Sequence, residues 1–436
     1  MDSTLTAAGP KAEPGPEPEP DLGRRLADYR SAQLGETFAF LRAHSAFYRD
    51  LLPAGDLDQR RPELILRDLP PLKPDAWEAA RHSMRTGTPD NVVLGYTSGS
   101  TGNPKVFLRQ PDEFDAVRTA FDPRAAARRT LVLVAPTHGA AALSGFSGSM
   151  LVHFLCNPEH YAQVSALLER RDPAYAGLPP ITDIRAQRIK ALTLYLLRTR
   201  GRVDDLGIER ITAGRFFLSP RWRDRLERWW GAEVTVAYGF SEMAVCNALE
   251  CRDCGYFHMP PMCLAEVLDE EAGWQPVRPG GRGALAVTGF HPFVTVEPRV
   301  RYVPGDLVEL APDRCPRWGE GGFRPLGRQK HCARRSDTGQ WICPADVFPA
   351  LDDLPELNRV LPGRLGVSGR EYDDAASPRF ILESGDRVRL RVELRSAPAV
   401  WDAESALTRQ RIQDAIPDGV EVVLHGPGDL GDVYNY

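Results

Sequence analysis

The sequence predicts an α/β protein: a large N-terminal α/β domain that includes a β-rich subdomain, followed by a small α+β domain. Three patterns lead to this prediction. Between residues 92 and 238, short apolar runs typical of buried strands alternate with helical patterns, which indicates a largely parallel sheet. Residues 283–310 carry strand patterns interrupted by Gly and Pro. Beyond residue 328 the order changes to β-β-α-β, as in a small α+β unit.

The N-terminal elements follow from local composition. Residues 1–21 alternate Pro, Glu and Gly, cannot bury apolar surface, and are predicted to form a disordered tail. A helical pattern then runs from residue 22 to residue 52, with apolar side chains three to five positions apart. Buried strands are predicted at 92–96 and 130–136.

The later elements are predicted in the same way. Helices are expected at 181–198 and 221–230, and the second of these leads directly into a strand at 233–238. In the small domain we expect strands at 380–383 and 388–394, a helix at 404–416 and a strand at 420–425.

Size and composition exclude several classes of protein. The chain has 436 residues, enough for two or three domains of about 150 residues each. A net charge of −5 argues against binding nucleic acid through bulk charge. No apolar run reaches the about 18 residues of a transmembrane helix, and the start lacks the features of a secretory signal. We therefore expect a cytoplasmic protein without membrane or nucleic-acid partners, whose eight cysteines are free or bind metal.

The most informative segment follows the first predicted strand and reads YTSGSTGNPK over residues 96–105. Glycines let backbone N–H groups turn inward, hydroxyls add donors, and a lysine can neutralise phosphate charge. The spacing is not that of the P-loop. The predicted phosphate-binding residues are Thr97, Ser98, Gly99, Ser100, Thr101, Gly102 and Lys105.

A second segment, YGFSE, stands at the end of a predicted strand. Its tyrosine, Tyr238, could stack on a flat base, and its hydroxyl residue, Ser241, could hold a phosphate. The carboxylate of Glu242 could ligate Mg²⁺, a cation that prefers oxygen. Taken alone, the segment could also be an ordinary turn at the end of a strand.

Both segments resemble, in order and spacing, those of the adenylate-forming enzymes, which include the acyl-CoA synthetases. The resemblance covers nearly the whole chain beyond the tail and is closest to the phenylacetate-CoA ligase-like subgroup. It implies that residues 97–105 cradle the pyrophosphate of ATP, that Tyr238 and Gly239 lie at the adenine, and that Glu242 holds Mg²⁺. Lys105 and Glu242 would then be catalytic.

Two further segments extend the resemblance. In RYVPGDL, Asp306 would bind the ribose hydroxyls, which suits a carboxylate, although Pro-Gly-Asp is also good turn chemistry. In LGRQK, Arg328 would reach the ribose or phosphate from the hinge between domains. The resemblance divides the chain into the tail (1–21), a large ATP- and acyl-binding domain (22–327), a hinge (328–330) and a small domain (331–436).

A cysteine and histidine pattern predicts a metal site. Cys251, Cys254 and His258 have a spacing that can hold Zn²⁺ through thiolates and an imidazole. Some phenylacetate-CoA ligase-like proteins close such a site with a cysteine shortly after the Gly-Asp motif, where this chain has Cys315. Cys263 is the local alternative, and a set of free buried cysteines is the other interpretation. A site with four protein ligands would be structural.

Two residues are assigned more loosely. His138 follows a predicted strand, at a point where adenylating enzymes often place a ring near the acyl carboxylate; a histidine that caps a loop is the alternative. Gly214 precedes the Tyr238 strand and matches a glycine whose backbone approaches the substrate ring or the adenine.

The function implied is ATP- and Mg²⁺-dependent activation of a small carboxylic acid, aryl or amino acids included, to an acyl-adenylate. The acyl group would then pass to a thiol, of CoA or a carrier protein, or to an amine. One of the departures from the resemblance bears on the function. Adenylating enzymes carry a lysine near the end of the small domain, and this sequence has none after Lys330. An acyltransferase or amide synthetase that uses a pre-activated acyl group, or a non-catalytic nucleotide-binding protein, are therefore the alternatives.

Overall fold

The computed structural model describes most of the chain, and the following account concerns only that part. The described residues are 22–54, 61–87, 92–96, 106–110, 113, 129–134, 150–154, 158–169, 177, 180–186, 203–214, 217–240, 242–243, 245–360 and 376–431.

Eight α-helices are present in these ranges. They are α1 (Leu22–His44), α2 (Ala46–Leu51), α3 (Pro62–Asp68), α4 (Pro74–Met84), α5 (Pro158–Leu168), α6 (Pro220–Trp230), α7 (Pro344–Asp352) and α8 (Asp402–Gln413). The helical pattern predicted from residue 22 to residue 52 is thus two helices. Ser45 separates them, because its backbone is extended and its side chain accepts the Tyr48 N–H as the N-cap of α2.

The strands of the N-terminal part come in two groups. A hairpin is formed by β1 (Val93–Tyr96) and β2 (Val106–Arg109). Parallel pairing joins β3 (Thr130–Val134), β4 (Met150–Phe154), β5 (Asp183–Ala186), β6 (Arg210–Gly214) and β7 (Glu233–Tyr238). The predicted strand at 233–238 is confirmed, and those at 92–96 and 130–136 are confirmed within their described parts.

The β-rich part continues the same sheet with antiparallel strands. These are β8 (Ala248–Glu250), β9 (Phe257–His258), β10 (Cys263–Asp269), β11 (Gln275–Pro276), β12 (Arg282–Gly289), β13 (Asp306–Leu310) and β14 (Phe323–Arg328). The twelve-stranded order is β11-β10-β12-β13-β14-β9-β8-β7-β6-β5-β3-β4. The parallel and antiparallel parts therefore meet at β7, where Tyr238 stands.

The C-terminal part forms a small unit with its own apolar core. Its strands are β15 (Ala333–Arg334), β16 (Trp341–Ile342), β17 (Arg359–Val360), β18 (Ser377–Pro378), β19 (Phe380–Glu383), β20 (Val388–Glu393) and β21 (Val420–His425). β19 pairs antiparallel with β20, which pairs parallel with β21 after the crossover through α8. The predicted β-β-α-β order is confirmed, and so is the α/β class with a small α+β C-terminal domain.

One predicted element is wrong where the structure describes it. Residues 183–186, expected within a helix at 181–198, form β5 between β3 and β6; residues 187–198 lie outside the described part. The side chain of Ile184 has no exposed surface. Periodicity over so short an apolar run cannot separate a fully buried strand from a buried helix, and the neighbouring strands decided the outcome.

Within the described residues, none of the helices combines the length and the apolar character needed to cross a membrane.

Candidate functional site

Three side chains from separate predicted motifs come into contact, each from the end of a different strand. Asp306 opens β13 directly opposite Arg328, the last residue of β14, and Tyr238 ends β7. The Tyr238 hydroxyl donates to Asp306 Oδ2 at 2.7 Å. Arg328 Nε lies 3.2 Å from Asp306 Oδ1, and Arg328 Nη1 donates to the Pro304 carbonyl at 2.6 Å. Both carboxylate oxygens of Asp306 are therefore held in place.

The charges of this trio follow from its burial. Asp306 is buried, and burial together with the Asp306 carboxylate raises the pKa of Tyr238 well above its ordinary value. The same carboxylate raises the pKa of Arg328. Tyr238 thus stays a neutral hydroxyl donor and Arg328 stays a cation. The trio presents a fixed carboxylate beside a fixed guanidinium, which suits a ligand with vicinal hydroxyls and a nearby negative charge.

Two predicted glycines adjoin the trio. Gly214 ends β6 beside Ala237, and a Cβ there would meet no described atom within 4 Å, so there is room next to the end of β7. A Cβ on Gly239 would lie 2.8 Å from the Cys246 carbonyl, which explains why this position needs glycine. The Tyr238 ring packs edge-on against Phe323, with 5.5 Å between ring centroids.

Glu242 lies a short way beyond β7 and is half-buried. Its carbonyl accepts a hydrogen bond from Arg299 Nη1 at 2.8 Å. Arg299 was not predicted from the sequence, because an isolated arginine between two strands carries no motif. Glu297 and Arg299 are nonetheless almost fully buried, an arrangement that proteins rarely adopt without a specific partner.

Several predicted residues lie outside the described part of the chain. They are Thr97, Ser98, Gly99, Ser100, Thr101, Gly102, Lys105, His138 and Ser241. The assignments of these residues stay predictions. The hairpin that flanks the predicted phosphate-binding segment is described, and in it Tyr96 pairs with Val106.

The predicted metal ligands form a tight cluster of their own. One ligand atom from each of Cys251, Cys254, His258 and Cys315 lies within 4.8 Å of all the others. The Cys251 and Cys315 sulfurs are 3.8 Å apart, and Cys254 Sγ lies 3.2 Å from His258 Nε2. Cys263, the local alternative, instead contacts the Met259 sulfur at 3.8 Å.

Two turns of the same geometry build this cluster. The Cys251 N–H donates to the Tyr256 carbonyl and the Gly255 N–H donates back to the Cys251 carbonyl, at 2.9 and 2.8 Å. Cys315 repeats both bonds with Glu320 and Gly319, also at 2.9 and 2.8 Å. Both glycines have positive φ, 73° and 66°. The sequence signal that separates Cys315 from Cys263 is therefore a glycine four residues after the cysteine, which Cys263 lacks.

The donor set of the cluster fits a metal ion. Burial, with the nearby Arg30 charge, lowers the pKa of His258 to about 4, so its ring is neutral at physiological pH, as a metal ligand must be. The second ring nitrogen, Nδ1, is buried and has no hydrogen-bond partner in the described part of the chain; the nearest carboxylate oxygen, of Glu320, is 4.0 Å away. Among the described residues the group consists of three thiols and one imidazole, the donor set of a closed tetrahedral Zn²⁺ site.

The fold is similar to that of solved CoA ligases. An open conformation of 2-hydroxyisobutyryl-CoA ligase, in complex with 2-HIB-AMP and CoA, superposes with a TM-score of 0.65 at 16% identity, covering 99% of this chain and 95% of that one. The same ligase in its postadenylation state gives a TM-score of 0.63 at 18% identity, covering 99% and 93%. This chain has the fold of the adenylate-forming CoA ligases.

A third structure agrees with this result. The ATP-bound RpMatB-BxBclM chimera B1 gives a TM-score of 0.52 at 18% identity and covers 80% of this chain and 68% of its own. Neither a family model nor a curated protein sequence matches the chain. At these identities the likeness establishes the fold, while the activity has to be argued from the site.

Proposed function

We propose that this protein activates a small carboxylic acid with ATP and Mg²⁺ and passes the acyl group from the acyl-adenylate to an acceptor. The acceptor would be a thiol, of CoA or a carrier protein, or an amine. The observation that carries the proposal is the Tyr238–Asp306–Arg328 trio, in which side chains of three separate motifs contact one another in a CoA-ligase fold. The phenylacetate-CoA ligase-like subgroup is part of the proposal and rests on the sequence resemblance.

In the proposed reaction a substrate carboxylate oxygen attacks the α-phosphorus of ATP. A carboxyl–phosphorus bond forms, the bond to the pyrophosphate breaks, and the pyrophosphate leaves with the electron pair. Asp306 would accept the ribose hydroxyls, with Arg328 beside it as the fixed cation. Glu242 would ligate Mg²⁺, the segment 97–105 with Lys105 would hold the departing pyrophosphate, and His138 would lie near the acyl carboxylate.

The Tyr238 hydroxyl already occupies one oxygen of Asp306. A ribose hydroxyl that binds Asp306 would share or replace this donor, so the carboxylate keeps its hydrogen bonds with and without nucleotide. The ring of Tyr238 is then free to contribute stacking on the adenine next to the open space at Gly214.

We also propose that Cys251, Cys254, His258 and Cys315 hold a structural Zn²⁺. The support is the tight donor set and the two matching turns that present it. Because four protein ligands leave no open position, the ion would cross-link the turn after β8 to the one between β13 and β14 and would take no part in the chemistry.

The lysine that adenylating enzymes use near the end of the small domain has no counterpart after Lys330 in this sequence. The second candidate is transfer of a pre-activated acyl group without adenylation. A non-catalytic nucleotide-binding protein is the third.

ATP–pyrophosphate exchange separates these candidates. The assay would use the full chain with Mg²⁺ and a panel of aryl, amino and short aliphatic acids, including 2-hydroxyisobutyrate because similar structures hold its adenylate. Exchange with one acid would establish adenylation and the substrate class. ATP binding without exchange on any acid, together with turnover of synthetic acyl-AMP, would favour the second candidate. ATP binding with neither activity would favour the third.

A further inference from the structure

Two charged residues, Glu297 and Arg299, lie deep in the protein in the connection between β12 and β13. Glu297 is 2% exposed and Arg299 is 1% exposed. Burying charges in a low-dielectric interior costs free energy unless each charge finds a partner with good geometry. The partners of this pair lie in the two segments to which the nucleotide-binding motifs are attached.

Glu297 reaches the hairpin that flanks the predicted phosphate-binding segment. Its Oε2 accepts the backbone N–H of Leu108, in β2, at 3.0 Å. Its Oε1 accepts from Arg81 Nε at 2.7 Å and Arg85 Nη2 at 3.3 Å, both from the end of α4. The carboxylate therefore fixes β2 against α4.

A second carboxylate links the same two regions, but here the acceptor lies on the hairpin side and the donors lie in the connection between β12 and β13. Glu113 lies a few residues beyond β2, and its Oε1 accepts the backbone N–H groups of Thr295 and Val296 at 2.7 and 3.1 Å. The connection between β12 and β13 and the end of the hairpin thus exchange hydrogen bonds. The placement of the hairpin is set by these buried bonds as well as by its own strand pairing.

Arg299 contacts the segment that carries Glu242. Its Nη1 donates to the Glu242 carbonyl at 2.8 Å and to the Glu297 carbonyl at 3.1 Å. Its Nη2 is 3.6 Å from Glu297 Oε2, so the two side chains form an ion pair. The guanidinium lies 4.3 Å from the centroid of the Trp77 ring and 5.5 Å from that of the Tyr302 ring, which fixes its plane.

We propose that Glu297 and Arg299 form a positioning pair that sets the distance between the Glu242 segment and the hairpin bearing the phosphate-binding segment. The inference rests on the proposed function, because it assigns the pair to Mg²⁺-bound ATP. If Glu242 ligates Mg²⁺, its carboxylate would have to be held at a fixed separation from the phosphate-binding segment, because Mg²⁺ tolerates little change in the positions of its ligands. Neither residue touches the nucleotide in this proposal; each acts through the backbone it holds.

The chain offers a matched control in Arg301, two residues further on. Arg301 is 2% exposed, yet its guanidinium contacts Glu266 at 3.2 Å and the Arg67 carbonyl at 3.1 Å, away from Glu242. Replacing either arginine by methionine removes a buried, ion-paired guanidinium. A general loss of packing or stability would therefore affect both variants alike.

The test measures ATP binding by titration calorimetry to full-length protein, without and with Mg²⁺, and compares wild type, Arg299→Met, Arg299→Lys and Arg301→Met. We expect Arg299→Met to reduce the gain in affinity that Mg²⁺ gives by at least about tenfold, while Mg²⁺-free ATP binding changes by less than about threefold. Arg299→Lys, which can still donate to the Glu242 carbonyl, should recover part of the gain. Arg301→Met should keep the wild-type gain in ATP affinity from Mg²⁺, even if the substitution lowers the melting temperature.

The outcomes separate this inference from the proposed function. If wild type binds Mg²⁺-ATP and Arg299→Met keeps the wild-type gain, or Arg301→Met loses it equally, the positioning role is wrong and the function stands. If wild type itself shows no gain from Mg²⁺, the proposed function fails and the positioning role with it. Should Arg299→Met not fold, Glu297→Gln takes its place, with increased hydrogen exchange at Leu108 as a readout that does not depend on nucleotide.

Discussion

The Tyr238–Asp306–Arg328 trio and the cysteine-histidine cluster are both built from residues far apart in the sequence, yet they differ in construction. Tyr238 and Asp306 are 68 positions apart, and Cys251 and Cys315 are 64 apart. In the trio each side chain comes from the end of a different strand, and no described atom would lie within 4 Å of a Cβ at Gly214, next to the end of β7. In the cluster two matching turns carry the three cysteines and β9 carries His258, and all four donor atoms lie within 4.8 Å of one another.

The difference indicates what each region does. Strand ends hold side chains firmly while leaving space for a ligand, which suits binding and chemistry. Four protein donors around one metal ion leave no coordination position for a substrate, and this arrangement suits a structural cross-link. Changes in the trio should therefore affect nucleotide binding more than folding, and changes in the cluster should do the reverse. Three substitutions, one in the cluster and two in the trio, test this contrast, and a fourth tests Glu242, whose charge acts on Arg328.

The largest effect is expected for Glu242→Ala. If this carboxylate ligates Mg²⁺, its loss should lower pyrophosphate exchange by at least about 100-fold, as for other removals of transition-state electrostatic stabilisation. The melting temperature should change little, because Glu242 is only half-buried. Glu250→Ala is the control, since Glu250 pairs with Arg223 at 2.6 Å and belongs to neither region. Wild-type exchange in Glu242→Ala would contradict the site assignment.

The second effect is on stability, in Cys254→Ser. Loss of one thiolate should release the Zn²⁺ and lower the free energy of unfolding by several kcal/mol, because metal binding is coupled to folding. Metal content by mass spectrometry and a thermal melt check this. Cys332→Ser, at a half-buried cysteine outside the cluster, should keep its zinc. A wild-type protein that purifies without metal, and is unaffected by a chelator, would show that the cluster is a set of free thiols.

A smaller effect is expected for Asp306→Asn. The amide can still accept one hydroxyl but no longer offers a charged acceptor, so ATP affinity should fall by about ten- to a hundredfold. The sharper readout is selectivity: wild type should prefer ATP over 2′- and 3′-deoxy-ATP, and the variant should lose that preference. If the preference persists in Asp306→Asn, the ribose binds elsewhere.

The smallest effect is expected for Tyr238→Phe. The substitution keeps the ring and removes the donor to Asp306, a hydrogen bond that is worth about 1 kcal/mol of stability. ATP affinity should change by less than about threefold, because ribose hydroxyls can take the place of that donor. Tyr238→Ala, which also removes the ring, should lose distinctly more affinity. Equal losses in the two variants would rule out stacking as the role of the ring.

Much of the fold could be predicted because it rests on local patterns. The strand at 233–238 and the final strand at 420–425 have the predicted bounds, since each is an apolar run with a turn signal at its ends. β5 was mistaken for part of a helix, because its strand character comes from β3 and β6 on either side of it. Local pattern carries no information about which neighbours a segment will find.

The sequence by itself determined the residue types of the proposed nucleotide-binding segments and of the metal-ligand pattern. Each of these segments places its chemical groups within a few consecutive positions: a glycine-rich run, a Tyr-Gly-x-Ser-Glu segment, a Gly-Asp pair and a Cys-x2-Cys. Only the tertiary structure decided long-range partners such as the Tyr238 hydroxyl on Asp306, the Leu108 N–H on Glu297 and Arg299 on the Glu242 carbonyl. The reason is physical, because burial and the register of distant strands select among residues that are chemically equivalent along the chain.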